Sequence, residues 1–322
     1  MSEKVLITGG LGFIGSALAA RLMEQGARVT LFDNGQRGRL ENIHALGKRV
    51  RFVRGDIRDE RAVTKVCRGQ DTVYHLAAVN GTRYFYERPG DVLEINALGT
   101  LHVFRAAKTA GFKKLLFSST SEVYQNVSKV PTPETEPVTV PDVKNPRFTY
   151  SSTKILGEML GLHYLPAAKL DVRIVRYHNV YGPAMGDEHV IPQLVEKCVR
   201  LSNNLKKRSI VLPLQGGGRT TRAFCFIDDA VEATLIAAKK GKNREVYNIG
   251  DPREELSIRE LAQRIAKRLG LSIRITDVPL PEGSTPRRSP DITKLRRLGY
   301  KPAAPAHRAL GATVDWYRKR YA

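Results

Sequence analysis

The first half of the chain alternates short apolar runs with stretches whose apolar residues recur every three or four positions. Runs of strand length lie at residues 5–8, 29–32, 50–53, 72–76 and 115–118. Residues 13–25 place Ile14, Leu18 and Leu22 on one helical face, and a further helical stretch is predicted near 91–110. Alternation of strands and helices at this spacing indicates βαβ units and a parallel sheet with helices on both faces. The predicted class is α/β with a doubly wound parallel sheet.

The pattern becomes less regular beyond about residue 180. A strand is predicted at 170–175 and a helix at 256–269, whereas the proline-rich segment 131–146 is predicted to be a long connection over the surface. We therefore expect a nucleotide-binding sheet domain over residues 1–180, with later segments threaded back through it. Residues 181–322 are expected to form mainly a smaller, mixed α/β substrate lobe.

Composition narrows the class of protein. The chain has 322 residues, of which 42% are hydrophobic, enough to close a core and to exclude a disordered or fibrous protein. Its three cysteines, Cys67, Cys198 and Cys225, lie far apart, so neither a disulfide framework nor a metal site is predicted. There is no leader pattern and no run near the ~18 apolar residues of a membrane span. A cytoplasmic protein is expected.

The charge of the chain leaves several kinds of partner open. Lys and Arg number 53 against 32 Asp and Glu, a formal charge of +21, and basic residues cluster at 206–208, 239–242 and 318–320. Such charge attracts nucleic acid, a membrane surface or an acidic small molecule. The clusters lack the interleaved aromatic residues of a single-strand binding groove, which favours a solvated basic surface. A nucleic-acid-binding, non-catalytic protein remains the alternative from another class.

A glycine-rich turn follows the first predicted strand. Gly9, Gly12 and Gly15 form G-x-x-G-x-x-G at the start of a helix, with Phe13 and Ile14 in the same segment. Gly9 permits the tight turn, Gly12 lets the backbone approach a pyrophosphate, and Gly15 allows close packing of helix on strand. Free amides and the helix dipole attract the anion. In this context the motif predicts a Rossmann-type dinucleotide site rather than a simple turn.

An acidic residue ends the second predicted strand. Asp33 lies 18 residues after Gly15 and is followed by Asn34. An acid at this place accepts hydrogen bonds from the adenosine ribose hydroxyls and repels a 2′-phosphate, so the predicted cofactor is NAD rather than NADP. The alternative is an aspartate that only caps the turn before Asn34 and Gly35.

Tyr150 and Lys154 are the predicted catalytic pair. They are four residues apart, so a helix over 150–164 would place them on one face. A neighbouring ammonium favours the phenolate form of a tyrosine. Tyr150 can then take the proton from a sugar hydroxyl while hydride leaves for nicotinamide.

A second group of candidates follows the strand at 115–118, where ligands of an open parallel sheet bind. Thr120 can share a short hydrogen bond with a substrate oxygen, and Glu122 is a candidate second acid/base. The alternative for Glu122 is a loop carboxylate in a structural salt bridge. Ser121, between these two residues, is a further catalytic candidate, and Ser118 is assigned to the cofactor.

These motifs resemble those of the extended short-chain dehydrogenase/reductases, in particular the nucleotide-sugar epimerase/dehydratase family, nearly from end to end. The resemblance implies a nucleoside-diphosphate sugar as substrate and a homodimer. The further cofactor residues that it implies are Asp56, Ile57, Leu76, Ala77, Ala78, Asn96 and Tyr177. The implied substrate residues are Asn179, Val190, Arg222 and Arg288. An arginine pair is also suited to a diphosphate on physical grounds.

The reaction within this family is less sharply predicted. The triplet Thr120-Ser121-Glu122 resembles that of UDP-glucuronate decarboxylases and, less closely, of 4,6-dehydratases. This favours chemistry at C5 of a sugar that has first been oxidised at C4. The segment 148–152 around the tyrosine is instead closer to generic epimerases. A UDP-sugar 4-epimerase is therefore the alternative.

Overall fold

A computed structural model describes residues 2–166, 169–304 and 306–322. Its strands are β1 (Lys4–Thr8), β2 (Arg28–Asp33), β3 (Arg51–Arg54), β4 (Thr72–His75), β5 (Lys114–Thr120), β6 (Asp171–Tyr177), β7 (Val180–Tyr181), β8 (Ser209–Gln215), β9 (Thr221–Ala223), β10 (Cys225–Phe226), β11 (Glu245–Ile249), β12 (Glu255–Ser257), β13 (Ser272–Val278) and β14 (Arg287–Arg288). Its α-helices are α1 (Phe13–Glu24), α2 (Glu60–Cys67), α3 (Thr82–Glu87), α4 (Pro89–Leu93), α5 (Gly99–Thr109), α6 (Thr149–His163), α7 (Val190–Leu201), α8 (Ile227–Lys240), α9 (Ile258–Arg268), α10 (Thr293–Arg297) and α11 (Ala306–Tyr321).

The largest sheet within the described ranges has seven strands in the order β11-β6-β5-β4-β1-β2-β3. Each neighbouring pair is parallel. The order changes direction between β1 and β4, and ligands of such sheets bind outside the carboxyl ends of the strands at this point. The predicted α/β class with a doubly wound parallel sheet is confirmed.

Both faces of this sheet are covered. Val5 and Ile7 of β1 belong to one buried cluster together with Leu18 of α1, whereas Leu6 belongs to a second cluster with Phe104 of α5. Successive residues of a strand point to opposite faces, so an uninterrupted apolar run is what a strand covered on both sides requires. The helical face predicted from Leu18 is therefore the face that packs on the sheet.

The C-terminal half contributes to the large sheet and also forms a separate buried cluster. β11 pairs with β6 at the edge of the large sheet, and α8 packs beside α1 in the same buried cluster. Helices α7, α9 and α11 surround a separate cluster with the parallel pair β8–β13. β9 joins β12 and β14 in a small sheet between these parts. The boundary expected near residue 180 stays a prediction.

The proline-rich connection does not simply cross the surface as expected. Thr132 is buried; its amide donates to the Ser289 carbonyl (2.8 Å), and its own carbonyl accepts from the Asp291 amide (2.9 Å). Backbone pairing holds the segment inward against the strand that carries Arg288, because a buried loop must find partners for its peptide groups.

In the described part of the chain, no helix is both long and apolar enough to cross a membrane.

Candidate active site

The glycine turn forms an open cradle between β1 and α1. Gly9 has φ +72°, and a Cβ there would lie 2.7 Å from the Ala77 amide nitrogen. A Cβ on Gly12 would meet only the Gly9 carbonyl, at 3.1 Å. Gly12 is the N-cap of α1 and no described side chain caps that helix. Its first amides are therefore available to a diphosphate, and the turn fits a dinucleotide.

Asp33 lies at the end of β2 beside this cradle. Its Oδ2 accepts from the Leu11 amide (3.1 Å) and its Oδ1 accepts from the Gly35 amide (2.8 Å). The carboxylate thus does cap the following turn, and it also lines the cleft. A carboxylate has about four acceptor sites, so two backbone bonds leave room for ribose hydroxyls.

A single cleft of about 910 Å³ brings most of the predicted residues together. Those that line it are Gly9, Gly12, Phe13, Ile14, Gly15, Asp33, Asn34, Ile57, Leu76, Ala77, Ala78, Ser118, Thr120, Ser121, Glu122, Tyr150, Lys154, Tyr177, Asn179 and Arg288. The cleft runs along the carboxyl ends of the central strands, as the strand order requires.

Four predicted residues lie outside the lining of this cleft. Asn96 exchanges two hydrogen bonds with the Val79 backbone (2.7 and 3.0 Å) and so supports the end of β4. Asp56 accepts from Asn34 (2.9 Å) and pairs with Arg58, which lowers the pKa of Asp56 to about 2. Val190 begins α7, and Arg222 stands beside Arg288 in the small sheet. Their direct contact with ligands stays a prediction.

Tyr150 and Lys154 lie one turn apart on α6. The Lys154 ammonium is 5.8 Å from the centre of the Tyr150 ring and donates to the Ser118 carbonyl (2.8 Å). Burial lowers the pKa of Lys154 to about 7, an effect that Glu158 opposes. Burial and the nearby charge of Glu122 raise the pKa of the phenol, while hydrogen bonding to Thr120 lowers it. The two side chains therefore lie on one face of α6, as the spacing predicted, and their role in proton transfer stays a prediction.

Glu122 is joined to Arg288 across the other end of the cleft. It lies on a 3₁₀ turn directly after β5, where its amide donates to the Thr120 hydroxyl (3.2 Å). The Arg288 Nη1 donates to the Glu122 carboxylate, and its Nη2 donates to the Thr285 hydroxyl (3.0 Å). Burial disfavours the charged form of Glu122, but the positive charges of Arg288 and two further arginines lower its pKa. Glu122 is thus ionised, and its salt bridge lies inside the cleft.

Arg147 belongs to the charged residues near Glu122 and was not predicted from the sequence. It lies on the 3₁₀ turn Pro146–Phe148, three residues before the tyrosine. Burial raises the pKa of Glu122, and the charge of Arg147 is one of three arginine charges, with those of Arg288 and Arg222, that lower it. The Arg147 Nε is buried and finds no hydrogen-bond partner among the described residues. The sequence signal that could have identified Arg147 is a basic residue one helical turn before the predicted catalytic tyrosine.

Comparison with known proteins gives a family match and full-length relatives. The model of the NAD-dependent epimerase/dehydratase family matches residues 5–250. The chain is 35% identical to a UDP-N-acetyl-alpha-D-glucosaminuronate decarboxylase of Bacillus cytotoxicus, covering 99% of both chains. It is 32% identical to UDP-glucuronic acid decarboxylase 4 of Arabidopsis thaliana, covering 98% of this chain and 69% of the relative.

Solved structures agree with these matches. A UDP-glucose 4-epimerase from Thermotoga maritima, solved with UDP-glucose, superimposes with a TM-score of 0.86 at 29% identity and covers 99% of this chain and 100% of its own. A dTDP-glucose 4,6-dehydratase from Streptomyces venezuelae, solved with NAD, gives a TM-score of 0.85 at 30% identity, with 98% and 97% covered. The architecture described above is thus found in solved structures of a 4-epimerase and of a 4,6-dehydratase.

Proposed function

The chain belongs to the NAD-dependent epimerase/dehydratase family, and from this premise we propose that it decarboxylates a nucleoside-diphosphate uronate. The family makes it an enzyme that uses NAD, as the sequence predicted. The proposal concerns the sugar and the net reaction. The observation that carries it is the Glu122–Arg288 pair, with Arg147 and Arg222 nearby, in the cleft that holds Tyr150.

The cofactor half of the cleft prepares the sugar. Bound NAD supplies a hydride acceptor for the carbon at C4. The amides after Gly12 hold the diphosphate, and Asp33 accepts from the ribose. Tyr150 receives the proton of the C4 hydroxyl, while Thr120 orients the same oxygen. Lys154 favours the phenolate through its positive charge.

The substrate half of the cleft suits an acidic sugar. Arg288 pairs with Glu122 in the lining of the cleft, and the charges of Arg147 and Arg222 act on the same ionised carboxylate from outside that lining, so positive charge is in excess around it. Arginine donors match the planar geometry of carboxylate and diphosphate oxygens. Arg222 and Arg288 suit the diphosphate or the sugar acid, and the unpartnered Nε of Arg147 is a further donor. A uronate would meet this charge, whereas a neutral sugar would not.

Decarboxylation follows from the position of the carboxylate at C6 of the sugar. Once C4 is a ketone, the C6 carboxylate is that of a β-keto acid. Its C5–C6 bond breaks to release CO₂, and the electron pair moves onto the C4 oxygen beside Tyr150. C5 must then gain a proton, and C4 must regain the hydride held by the reduced cofactor for the pentose to form. Glu122 is the acid/base in the cleft that can relay that proton from water to C5.

Mass spectrometry of the products tests this proposal. Purified protein with NAD would be incubated separately with UDP-glucuronate, UDP-N-acetylglucosaminuronate, UDP-glucose and dTDP-glucose. We expect loss of the mass of CO₂ from a uronate. Loss of water from a neutral sugar would identify a dehydratase, and conversion without a change in mass would identify an epimerase. Either result, without decarboxylation of a uronate, overturns the proposal.

A 4-epimerase is the second candidate. It is supported by the likeness to the UDP-glucose 4-epimerase of Thermotoga maritima and by the epimerase-like segment 148–152. Such an enzyme needs only rotation of the oxidised sugar, so a charged Glu122 would have no chemical task. The salt bridge to Arg288 would then be structural.

A cytoplasmic location and a homodimer are further parts of the proposal. Leu156 and Met159 on α6 are exposed, as are Leu93 and Leu98 beside it on the α4–α5 segment. Exposed apolar side chains on neighbouring helices are typical of an interface. Sedimentation equilibrium would show twice the chain mass if two copies associate, and a single chain mass would exclude the dimer.

A further inference from the structure

A buried ion pair lies directly behind the catalytic lysine. Glu158, one turn beyond Lys154 on α6, has a side chain only 6% exposed, and that of its partner Arg176 on β6 is 5% exposed. The Arg176 Nε and Nη2 donate to the two carboxylate oxygens at 2.8 and 2.6 Å. The Ser119 hydroxyl donates to the same carboxylate. Glu158 is therefore fixed from two neighbouring strands.

Adjacent residues of β5 hold the lysine and the glutamate. The Ser118 carbonyl accepts from the Lys154 ammonium (2.8 Å), and the next residue, Ser119, binds Glu158. Residues four apart on a helix share a face, so both side chains of α6 point at the same short stretch of strand. Neither Glu158 nor Arg176 is among the residues that line the cleft. Neither is positioned to touch substrate or cofactor.

We propose that Glu158 is a positioning residue that keeps Lys154 in its ammonium form beside Tyr150, with Ser119 and Arg176 fixing the carboxylate. The inference goes beyond the proposed function, because every reaction of this family that uses Tyr150 to oxidise C4 would depend on it. It assigns a function to a buried charge, that of Glu158, which takes no direct part in the reaction.

The electrostatics of the site support this role. Burial lowers the pKa of Lys154, and Glu158 is the described group whose charge raises it again. The other titratable groups facing Lys154 are Tyr150 on the same helix and His75 on β4, whose pKa is lowered by burial and by Lys154 itself. Arg176 lies on the far side of Glu158. A raised pKa keeps the ammonium charged to higher pH, so loss of Glu158 would discharge Lys154 at lower pH.

A purely structural role is the competing explanation, because a buried ion pair also holds β6 to α6. Breaking one side of such a pair leaves an unpaired buried charge, and Glu158→Gln is therefore able to unfold the protein. The double variant Glu158→Gln/Arg176→Gln removes both charges and retains two side chains that can hydrogen-bond. The matched control is Glu136→Gln, another buried glutamate bound by a serine, Ser128, in a different part of the fold.

The decisive readout is the ionisation of Lys154 in the NAD-loaded protein without sugar. It is followed as the side-chain NMR shift of isotopically labelled lysine against pH, with the Lys154 signal identified by its loss in Lys154→Met. We expect the Lys154 transition to move to lower pH by about one unit in Glu158→Gln. The double variant should lie between this variant and the wild type, because Arg176 partly cancels the field of Glu158. Glu136→Gln should titrate as the wild type does.

The pH profile of turnover gives the second measurement. The alkaline limb of kcat, where Lys154 loses its proton, should shift to lower pH in both Glu158 variants, with KM changed less than twofold. Folded variants whose Lys154 transition and alkaline limb coincide with those of the wild type would overturn the proposal. The Lys154 titration needs no substrate, so failure of the decarboxylase proposal would leave this test intact.

Discussion

The two halves of the cleft are built by different means. The cofactor half is built from features that are local in the sequence. They are the turn between β1 and α1, the end of β2, and two side chains one helical turn apart. The substrate half uses charge gathered from distant segments, and its central pair, Glu122 and Arg288, is separated by 166 positions along the chain. Solved structures with the same overall architecture include a 4-epimerase and a 4,6-dehydratase. We therefore propose that the choice of reaction depends on the substrate half.

The largest effect is expected from Tyr150→Phe, which removes the proton acceptor that every reaction of this cleft needs. Turnover should fall by about 10³-fold, as for loss of a general base, while NAD still binds because the glycine turn is untouched. Tyr86→Phe is the control, since Tyr86 is exposed. Turnover with sugar nucleotide and dissociation of NAD are the two measurements. Retained turnover would show that the cofactor half does not act through this phenol.

Glu122→Gln separates the two halves. Oxidation at C4 and loss of CO₂ should persist, because Tyr150 and Lys154 are unchanged, but formation of the pentose nucleotide should fall by about 10²-fold for want of the acid/base that returns a proton to C5. Reduced nicotinamide would then accumulate and be visible in the absorbance of a single turnover. The matched control is Glu255→Gln, whose arginine partner, Arg287, adjoins Arg288 but lies outside the lining of the cleft. An unaltered rate of pentose nucleotide formation in Glu122→Gln would show that Glu122 does not protonate C5.

Arg147→Gln tests whether the charge of the substrate half selects an acidic sugar. The affinity for UDP-glucuronate should fall by about tenfold, as for loss of one charged hydrogen bond, while UDP-glucose should be affected less. Isothermal titration with both nucleotides and with UDP alone measures the difference. Lys144→Gln, an exposed residue on the same loop, is the control. An equal loss for all three ligands would assign Arg147 to the diphosphate instead.

The smallest effect concerns Asp56, which supports Asn34 from behind the cofactor half. Arg58 lowers the pKa of this carboxyl to about 2, so its stabilising effect is present above the unfolded value near 4 and disappears as the pH falls through about 2. Asp56→Asn should cost about 1 kcal/mol at neutral pH. Urea unfolding at pH 7 and at acidic pH would show a difference between the two proteins only at pH 7.

The difference between the cofactor half and the substrate half also explains which features could be predicted from the sequence. The cofactor half was predictable because its geometry is local: Gly9 must adopt positive φ, and Lys154 follows Tyr150 at helical spacing. The strands were predictable because burial on both faces demands uninterrupted apolar runs. Glu122 and Arg288 were found individually, but their pairing depends on how β14 folds against the end of β5, and no local pattern encodes that.

The residues that were missed share a physical cause. Arg147, Glu158 and Arg176 are charged, and an isolated charge in a sequence is ordinarily assigned to solvent, since burying it without a partner is costly. Here Glu158 and Arg176 form a buried ion pair between two elements, and the Nε of Arg147 is buried as well. Thr132 was misplaced for a similar reason, because its proline-rich surroundings are typical of surface loops. Its backbone partners, Ser289 and Asp291, lie far along the chain.

The most direct test of the central claim follows one carbon atom. UDP-glucuronate and UDP-N-acetylglucosaminuronate, isotopically labelled at C6, would each be incubated with the NAD-loaded protein, and the label would be traced in gas and nucleotide fractions. The arrangement of Glu122 and Arg288 predicts that, for at least one of these substrates, the label leaves as CO₂ and an unlabelled pentose nucleotide remains. Label retained in the sugar of both, whether or not its configuration at C4 changes, would contradict the account.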